Sequence, residues 1–286
     1  MQEPSVRNSR LAIAGGLAAI LVVGGGGFFL GRETAPAPPT PGPIVVPVPT
    51  PAPEPETPAK LGRAELIALS AQAADALASG KSLPDAVGDA AGQRFELLLP
   101  FGCAGPTDAD SNLPERWSLG DDDGILRISF KPTAWRADDW GLDDQAAIDA
   151  AEGFWIARPW STGDKCQPRG DQATVQGADP VTLPGQSLAI AQIFRDEADR
   201  DGWRSGRAFD VVKRVDTKDF DGSQGFRLRV TGRIENIAGG APIRCVQPGG
   251  SEQRPRCLIG ARIDTVRMED PARDETLATW SITRQP

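Results

Sequence analysis

Acidic side chains and tryptophans carry whatever chemistry this chain can perform. Its 286 residues include no histidine and no tyrosine. Without histidine, Ser-His-Asp and Cys-His nucleophiles and the common zinc ligand sets are excluded. Carboxylates remain, grouped as Asp121, Asp122 and Asp123; Asp138, Asp139, Asp143 and Asp144; and Asp219 and Asp221. A carboxylate pair can hydrolyse a glycoside without histidine. Aspartate also favours turns, where its side chain bonds to nearby backbone, and that is the preferred reading of all three groups. Asp219-x-Asp221-x-Ser223 and Asp108-x-Asp110-x-Asn112 begin like calcium loops. Their sixth positions are Gln224 and Leu113 where glycine is required, so neither predicts a metal site. Gly80-Lys81-Ser82 ends like a phosphate-binding loop, but Asp75 stands where its first glycine should be. Gly185-Gln186-Ser187-Leu188-Ala189 has the spacing of a nucleophile elbow with no ordinary base to serve it. No cofactor, metal or catalytic residue is assigned.

The aromatic candidates lie in "GFWIARPWSTGDKC", residues 153–166. Read as a strand, this run sends Phe154 and Ile156 one way and Trp155 and Ala157 the other. Arg158-Pro159 then interrupts the ladder and marks an edge or bend. With Trp135 and Trp140 upstream, four of the seven tryptophans crowd into one short stretch. Trp155, Arg158 and Trp160 are the candidate ligand-binding residues, forming a ledge for ring stacking and a cation. The competing reading makes these tryptophans core filling. Trp155 is expected to be core, and Trp160, beyond the break, the more exposed.

Cys103, Cys166, Cys245 and Cys257 allow three pairings. Cys245 and Cys257 flank a Gly/Pro-rich loop between two strand-like runs, which brings them together and leaves Cys103 to pair with Cys166. Two disulfides indicate an oxidising, extracytoplasmic compartment. A formal charge of −8 and a pI near 4.8 argue against nucleic acid as a partner, since that requires a basic footprint.

The elements that position these residues follow from periodicity. Leu66, Leu69, Ala73 and Leu77 recur at helical spacing, with Arg63, Glu65, Gln72 and Asp75 elsewhere and Gly80 as a stop. A second short helix is expected from Pro84 to Gly92, and a third over Asp144 to Glu152, capped by Asp143 and stopped at Gly153. Elsewhere the period is two. "ERWSLGDDDGILRISFK" reads as a hairpin, and "GFRLRVTGRIENI" points Phe226, Leu228, Val230 and Ile234 inward. "LAIAQIF" reads as a central strand covered on both faces. "CLIGARIDTVRM" alternates through Ile259, Ala261 and Ile263, then changes phase to Val266 and Met268, as a bulge requires. "LATWSI" places Ala278, Trp280 and Ile282 on one face. The expected fold class is α+β: a mainly antiparallel β domain, sandwich-like or a twisted sheet, with N-terminal helices.

That domain spans residues 59–286 and follows a membrane anchor. Leu11 to Leu30 is an apolar run without charge, long enough to cross a bilayer core of about 30 Å. Its length, and Pro38 after the Ala35-Pro36-Ala37 triplet, favour an uncleaved signal anchor over a cleaved signal peptide. Residues 1–10 form the N-terminus, with Arg7 and Arg10 placing it in the cytoplasm; residues 11–31 are the span. Residues 32–58 are a proline-rich linker, expected to be disordered or extended polyproline II. In composition this spacer alone is similar to the proline-rich spacers of envelope-spanning proteins of the TonB type. The expectation is a single-pass protein of the cytoplasmic membrane. Its periplasmic domain is a non-enzymatic module that binds an envelope protein or glycan. The alternative is an Asp/Glu-dependent hydrolase acting on cell-wall or other polysaccharide.

Overall fold

In the computed structural model, one long strand organises the domain. The structure describes residues 60–282 except 109, 110, 112, 121, 143–147, 167–185, 196–199, 201–205 and 239. The run Leu11–Leu30 and the linker lie outside the described residues. Among the described residues no helix is long and apolar enough to cross a membrane.

The order is helix α1 (Arg63–Ala78), the short helix α2 (Asp85–Gly88), then strands β1 (Arg94–Phe101), β2 (Glu115–Leu119), β3 (Ile125–Phe130) and β4 (Thr133–Arg136). A 3₁₀ turn (Ala137–Trp140) precedes β5 (Ala150–Trp155), β6 (Leu188–Phe194), β7 (Phe209–Arg214), β8 (Phe226–Ile234) and β9 (Ile243–Val246). β10 (Arg256–Asp270) and β11 (Glu275–Ser281) complete the set. The domain is β-rich, with one mixed and one antiparallel sheet.

β10 has fifteen residues and pairs with four strands. Its first half lies between β6, parallel, and β9, antiparallel. Its second half lies between β8 and β11, both antiparallel. The register against β8 slips between Ile263 and Thr265. Ile259, Ala261 and Ile263 therefore share the core with Val266 and Met268 despite the change of phase. β1 extends the large sheet beyond β8, and β5 and β4 extend it beyond β6. β2, β3 and β7 form a second, antiparallel sheet, with the β2–β3 hairpin pairing Glu115 opposite Phe130.

The two sheets share one apolar core. Phe101, Trp117, Phe130, Phe154 and Phe209 interlock there, with ring centroids 5.0 Å apart for Phe101–Phe130 and 5.5 Å for Phe130–Phe154. Edge-to-face geometry of this kind suits the quadrupoles of aromatic rings. On the other face of the β4–β5–β6 region, Trp135 and Trp140 form a second cluster with Ala151, Ala189, Ala191 and Leu258. Small residues at the centre of β5 and β6 let the sheet be covered on both sides, as a β6 that is apolar except for Gln192 requires.

Three expectations are corrected. The proposed helix over Asp144–Glu152 is not formed where it is described: Ala150, Ala151 and Glu152 are the start of β5, pairing with Phe194, Ile193 and Gln192. Gly153 is not a helix stop. A Cβ there would lie 2.0 Å from the Ile190 carbonyl oxygen, so glycine permits the close approach of β5 and β6. Leu77 is 42% exposed; α1 buries Leu66, Ser70, Ala73 and Ala76, whose small side chains let the helix lie close to the sheet. Arg63, expected on the polar face of the helix, is buried.

The outward face of β1, β8 and β10 carries a ladder of charges. Lys60 pairs with Glu96 at 3.2 Å, and Glu96 also pairs with Arg229. Arg229 Nη2 donates to Glu269 Oε2 at 3.2 Å, and Arg227 Nε donates to the same oxygen at 2.7 Å. Burial opposes ionisation of Glu269, but the hydrogen bonds and charges of Arg229 and Arg227 outweigh it and hold the carboxyl below its ordinary value of 4.5. A carboxyl lowered in the fold stabilises it above the unfolded pKa, and that contribution vanishes as pH falls through the folded pKa. Stability measured by denaturant melts should therefore fall as pH drops below about 4.5, and Glu269→Gln should flatten this acid limb. An identical acid limb in the variant would show that Glu269 contributes nothing to it.

Candidate functional site

The run 153–166 leaves the sheet as a loop held from beneath. β5 ends at Trp155, and the Ile156 N–H still donates to the Leu188 carbonyl at 2.8 Å. Arg158 then takes a left-handed φ of 50°, which a non-glycine residue adopts only when its surroundings impose it. The Ser161 N–H closes a turn onto the Arg158 carbonyl at 2.9 Å. Such a turn points several carbonyls inward, and buried carbonyls need donors. Arg63 supplies them: its Nε donates to Ser161 O at 3.0 Å, and its Nη2 donates to Arg158 O at 3.1 Å and also to Ala157 O. The rigid guanidinium fork suits this work, since it offers several donors at fixed angles. Burial and the charge of Arg158 lower the Arg63 pKa, while Asp164 opposes that shift.

The loop is also stapled across its own mouth. Arg158 Nη2 donates to Lys165 O at 3.1 Å, and the Gly163 N–H donates to Ser161 Oγ at 3.2 Å. Cys166 is bridged to Cys103, just beyond β1, with a Cα separation of 5.3 Å. The second disulfide joins Cys245 to Cys257, which face each other in the β9–β10 register. Both pairings are those expected from the cysteine spacing.

The three ledge candidates separate in space and role. Trp155 is half-buried among Trp135 and Trp140, with ring centroids at 5.0 and 5.9 Å. Trp160 is 58% exposed at the loop's outer turn, while its neighbour Pro159 is buried. Among the described residues no ring contact joins Trp160 to Trp155. Arg158 spends one amino group on the loop itself.

Clefts border this loop on two sides. One, of about 440 Å³, is lined by Lys60, Arg63, Glu65, Glu96, Thr162 and Asp164, among others. The other, of about 250 Å³, is lined by Asp164, Lys165, Gln224, Arg227, Pro271 and Asp274, among others. Asp164 lines both.

Among the described residues the acidic groups do not converge. Asp123 and Asp221 accept the N–H of Ile125 and Ser223, each two residues on, at 2.9 Å. Hydrogen bonds from Ser223 lower the Asp221 pKa. Asp121, Asp143 and Asp144, with Asp110 and Asn112 of the second calcium-like run, lie outside the described residues. The buried carboxylates are ion-paired: Glu152 with Arg200, Glu269 with Arg227 and Arg229, Asp270 with Arg273. Among the described residues no group of three or more potential metal ligands gathers.

Sequence reasoning missed Arg63 because its partners are carbonyls almost a hundred positions away, which no side-chain pattern reveals. Thr162, Asp164 and Gln224 were missed for a similar reason: two loops distant in sequence bring them together. No protein family, curated protein or solved structure matches the chain.

Replacing each tryptophan separates their roles. Trp155→Ala should cost roughly 3–5 kcal/mol by opening a cavity in the tryptophan cluster. Trp160→Ala should stay within about 0.5 kcal/mol, as exposed positions do. Denaturant melts read both, and a large loss at Trp160 would show that it is packed.

Proposed function

We propose that this chain is a membrane-tethered extracytoplasmic binding module. In this reading Leu11–Leu30 is an uncleaved anchor with its N-terminus in the cytoplasm. The proline-rich linker holds a sandwich-like β domain away from the membrane on the periplasmic side. That domain binds an envelope component, protein or glycan, through the loop that carries Arg158 and Trp160. In this reading its role is binding, with an Asp/Glu-dependent hydrolase as the alternative.

One observation carries the binding half of the proposal: Trp160 is more than half exposed on a loop whose backbone is fixed by a buried arginine and a disulfide. A large aromatic ring held outward on a rigid support loses little freedom on binding, which is the condition for an effective anchor. The two disulfides support an oxidising compartment. The turn-bound and ion-paired acids weigh against the hydrolase alternative, which requires two carboxylates flanking one bond.

Protease added to intact spheroplasts should remove the domain beyond Ala59, and the mature protein should keep its N-terminal run. Full protection, or a mature N-terminus near Pro38, overturns the tether. Trp160→Ala should reduce retention of the full chain on isolated cell-envelope material while leaving the melting temperature unchanged. Equal retention overturns the ledge.

A further inference from the structure

The outward face of β1, β8 and β10 carries more arginine than its own acids neutralise. In the antiparallel register Arg94 of β1 stands opposite Arg233 of β8, and Arg233 stands opposite Arg262 of β10. With strands about 4.8 Å apart, the three form a row roughly 10 Å long. Further along β8, Arg229 stands opposite Arg267. Like charges placed directly opposite one another destabilise a sheet. Among the described residues the second sheet has no such pair: Arg116 faces Ser129, Arg127 faces Val212 and Arg214 faces Ile125.

The nearby acids compensate only part of this charge. Glu96 and Glu269 are taken up by Lys60, Arg229 and Arg227. Arg262 lies 3.3 Å from Asp264 and 3.8 Å from Glu235, in exposed pairs that water screens. Arg233 gives one donor to the Gly92 carbonyl at 3.3 Å. Arg94 and Arg267 are exposed and have no carboxylate partner among the described residues. Six arginines and Lys60 thus meet four carboxylates, a surplus of three positive charges on a chain whose formal charge is −8. The domain is therefore polarised, positive on this face and acidic elsewhere, and its field turns this face toward a negative surface.

The form of the face and the point where the chain enters it select the partner. The arginines stand on the outward side of a sheet whose other side buries Leu66 and Ala73 of α1 in the core, so they suit a broad surface rather than a small ion. A surplus of three charges is too small to hold a free polyanion against the acidity of the rest of the chain, since such binding needs many phosphate contacts. It suffices for a surface already at hand, because a tethered domain meets that surface at high effective concentration. The chain enters the described domain at Lys60, which pairs with Glu96 on this same face. Anionic lipid attracts basic residues held within a Debye length of it. We infer that the row Arg94, Arg233 and Arg262, with Arg267, rests on the anionic phospholipid surface of the bilayer that anchors the chain. This rests on the tether of the proposed function and adds to it a preferred orientation of the domain on the membrane.

The test uses the full chain in liposomes of phosphatidylcholine, with or without phosphatidylglycerol. Phenylglyoxal modifies accessible arginines, and mass spectrometry reads each site. Phosphatidylglycerol should lower modification of Arg94, Arg233 and Arg267 roughly threefold at low salt. Arg127, outward on the second sheet, should be unchanged. Salt at about 1 M, where the Debye length is about 3 Å, should restore the modification. Arg94→Gln with Arg233→Gln should remove the protection of Arg267 without lowering the melting temperature, whereas Arg94→Lys with Arg233→Lys should keep it. Equal modification on the two lipids overturns the inference, as does protection that survives high salt or ignores the Gln pair. Stronger protection by soluble polyglutamate than by phosphatidylglycerol overturns it in favour of an acidic polypeptide. Flotation separates this inference from the tether. A chain that floats with phosphatidylcholine alone is anchored, whatever its arginines do. If it floats only with phosphatidylglycerol, and the Gln pair abolishes that, the face stands and the anchor fails. Flotation with neither lipid overturns both.

Discussion

The domain depends on the requirement that β10 be paired along both of its edges. Buried backbone groups left without partners are costly, and a central strand has donors and acceptors facing two ways. β10 meets this by changing neighbours halfway: β6 and β9 for its first part, β8 and β11 for its second. The bulge near Asp264 makes the exchange compatible with one core, because it restores the apolar face after the phase has slipped. The rest of the large sheet is attached to this strand directly or through its neighbours, and the second sheet meets it across the shared core. β5 reaches it through β6 and β1 through β8, while α1 packs on β9 and β10.

The loop that carries Trp160 inherits its rigidity from that arrangement. β5 can deliver residues 156–166 to the edge of the core only because Gly153 allows it to lie against β6. Arg63 reaches the loop from a helix that starts just after Leu61, which itself bridges to β1. Two separate parts of the fold thus converge on a single set of carbonyls. Exposing an aromatic ring on a loop ordinarily invites the loop to collapse around it. Here the backbone is held independently of the ring, so the ring is left outside.

Much of this was legible in the sequence wherever a local pattern decides the outcome. The strands of the hairpin, β8 and the two halves of β10 showed themselves because one face is apolar and the other polar, and alternation with a period of two marks a half-buried strand. The disulfide pairing followed from the loop between Cys245 and Cys257, whose ends a hairpin must bring together. β5 was misread because Ala150 and Ala151 suit a helix by intrinsic preference. What decides their state is the pairing with β6, and nothing local records it. Leu77 was misplaced because a helix seam can be built from alanine and serine when the helix sits close to a sheet. Of the candidate residues, the exposure of Trp160 was marked by the Arg-Pro break before it, whereas the approach of Asp164 and Gln224 carries no mark until the fold brings their loops together.

The position of β10 along the chain governs the order in which the domain can assemble. Strands β6, β8 and β9 are all made before it, and each presents an edge or an apolar face that only β10 can complete. While the ribosome has yet to deliver residues 256–270, Phe194, Phe226 and Leu228 belong to strands whose main partner does not exist. Pairings between distant residues form slowly, since the intervening chain must first be ordered. The nascent domain therefore passes through an interval in which sticky strand edges are open to neighbouring chains, and it relies on being shielded until its last two strands arrive.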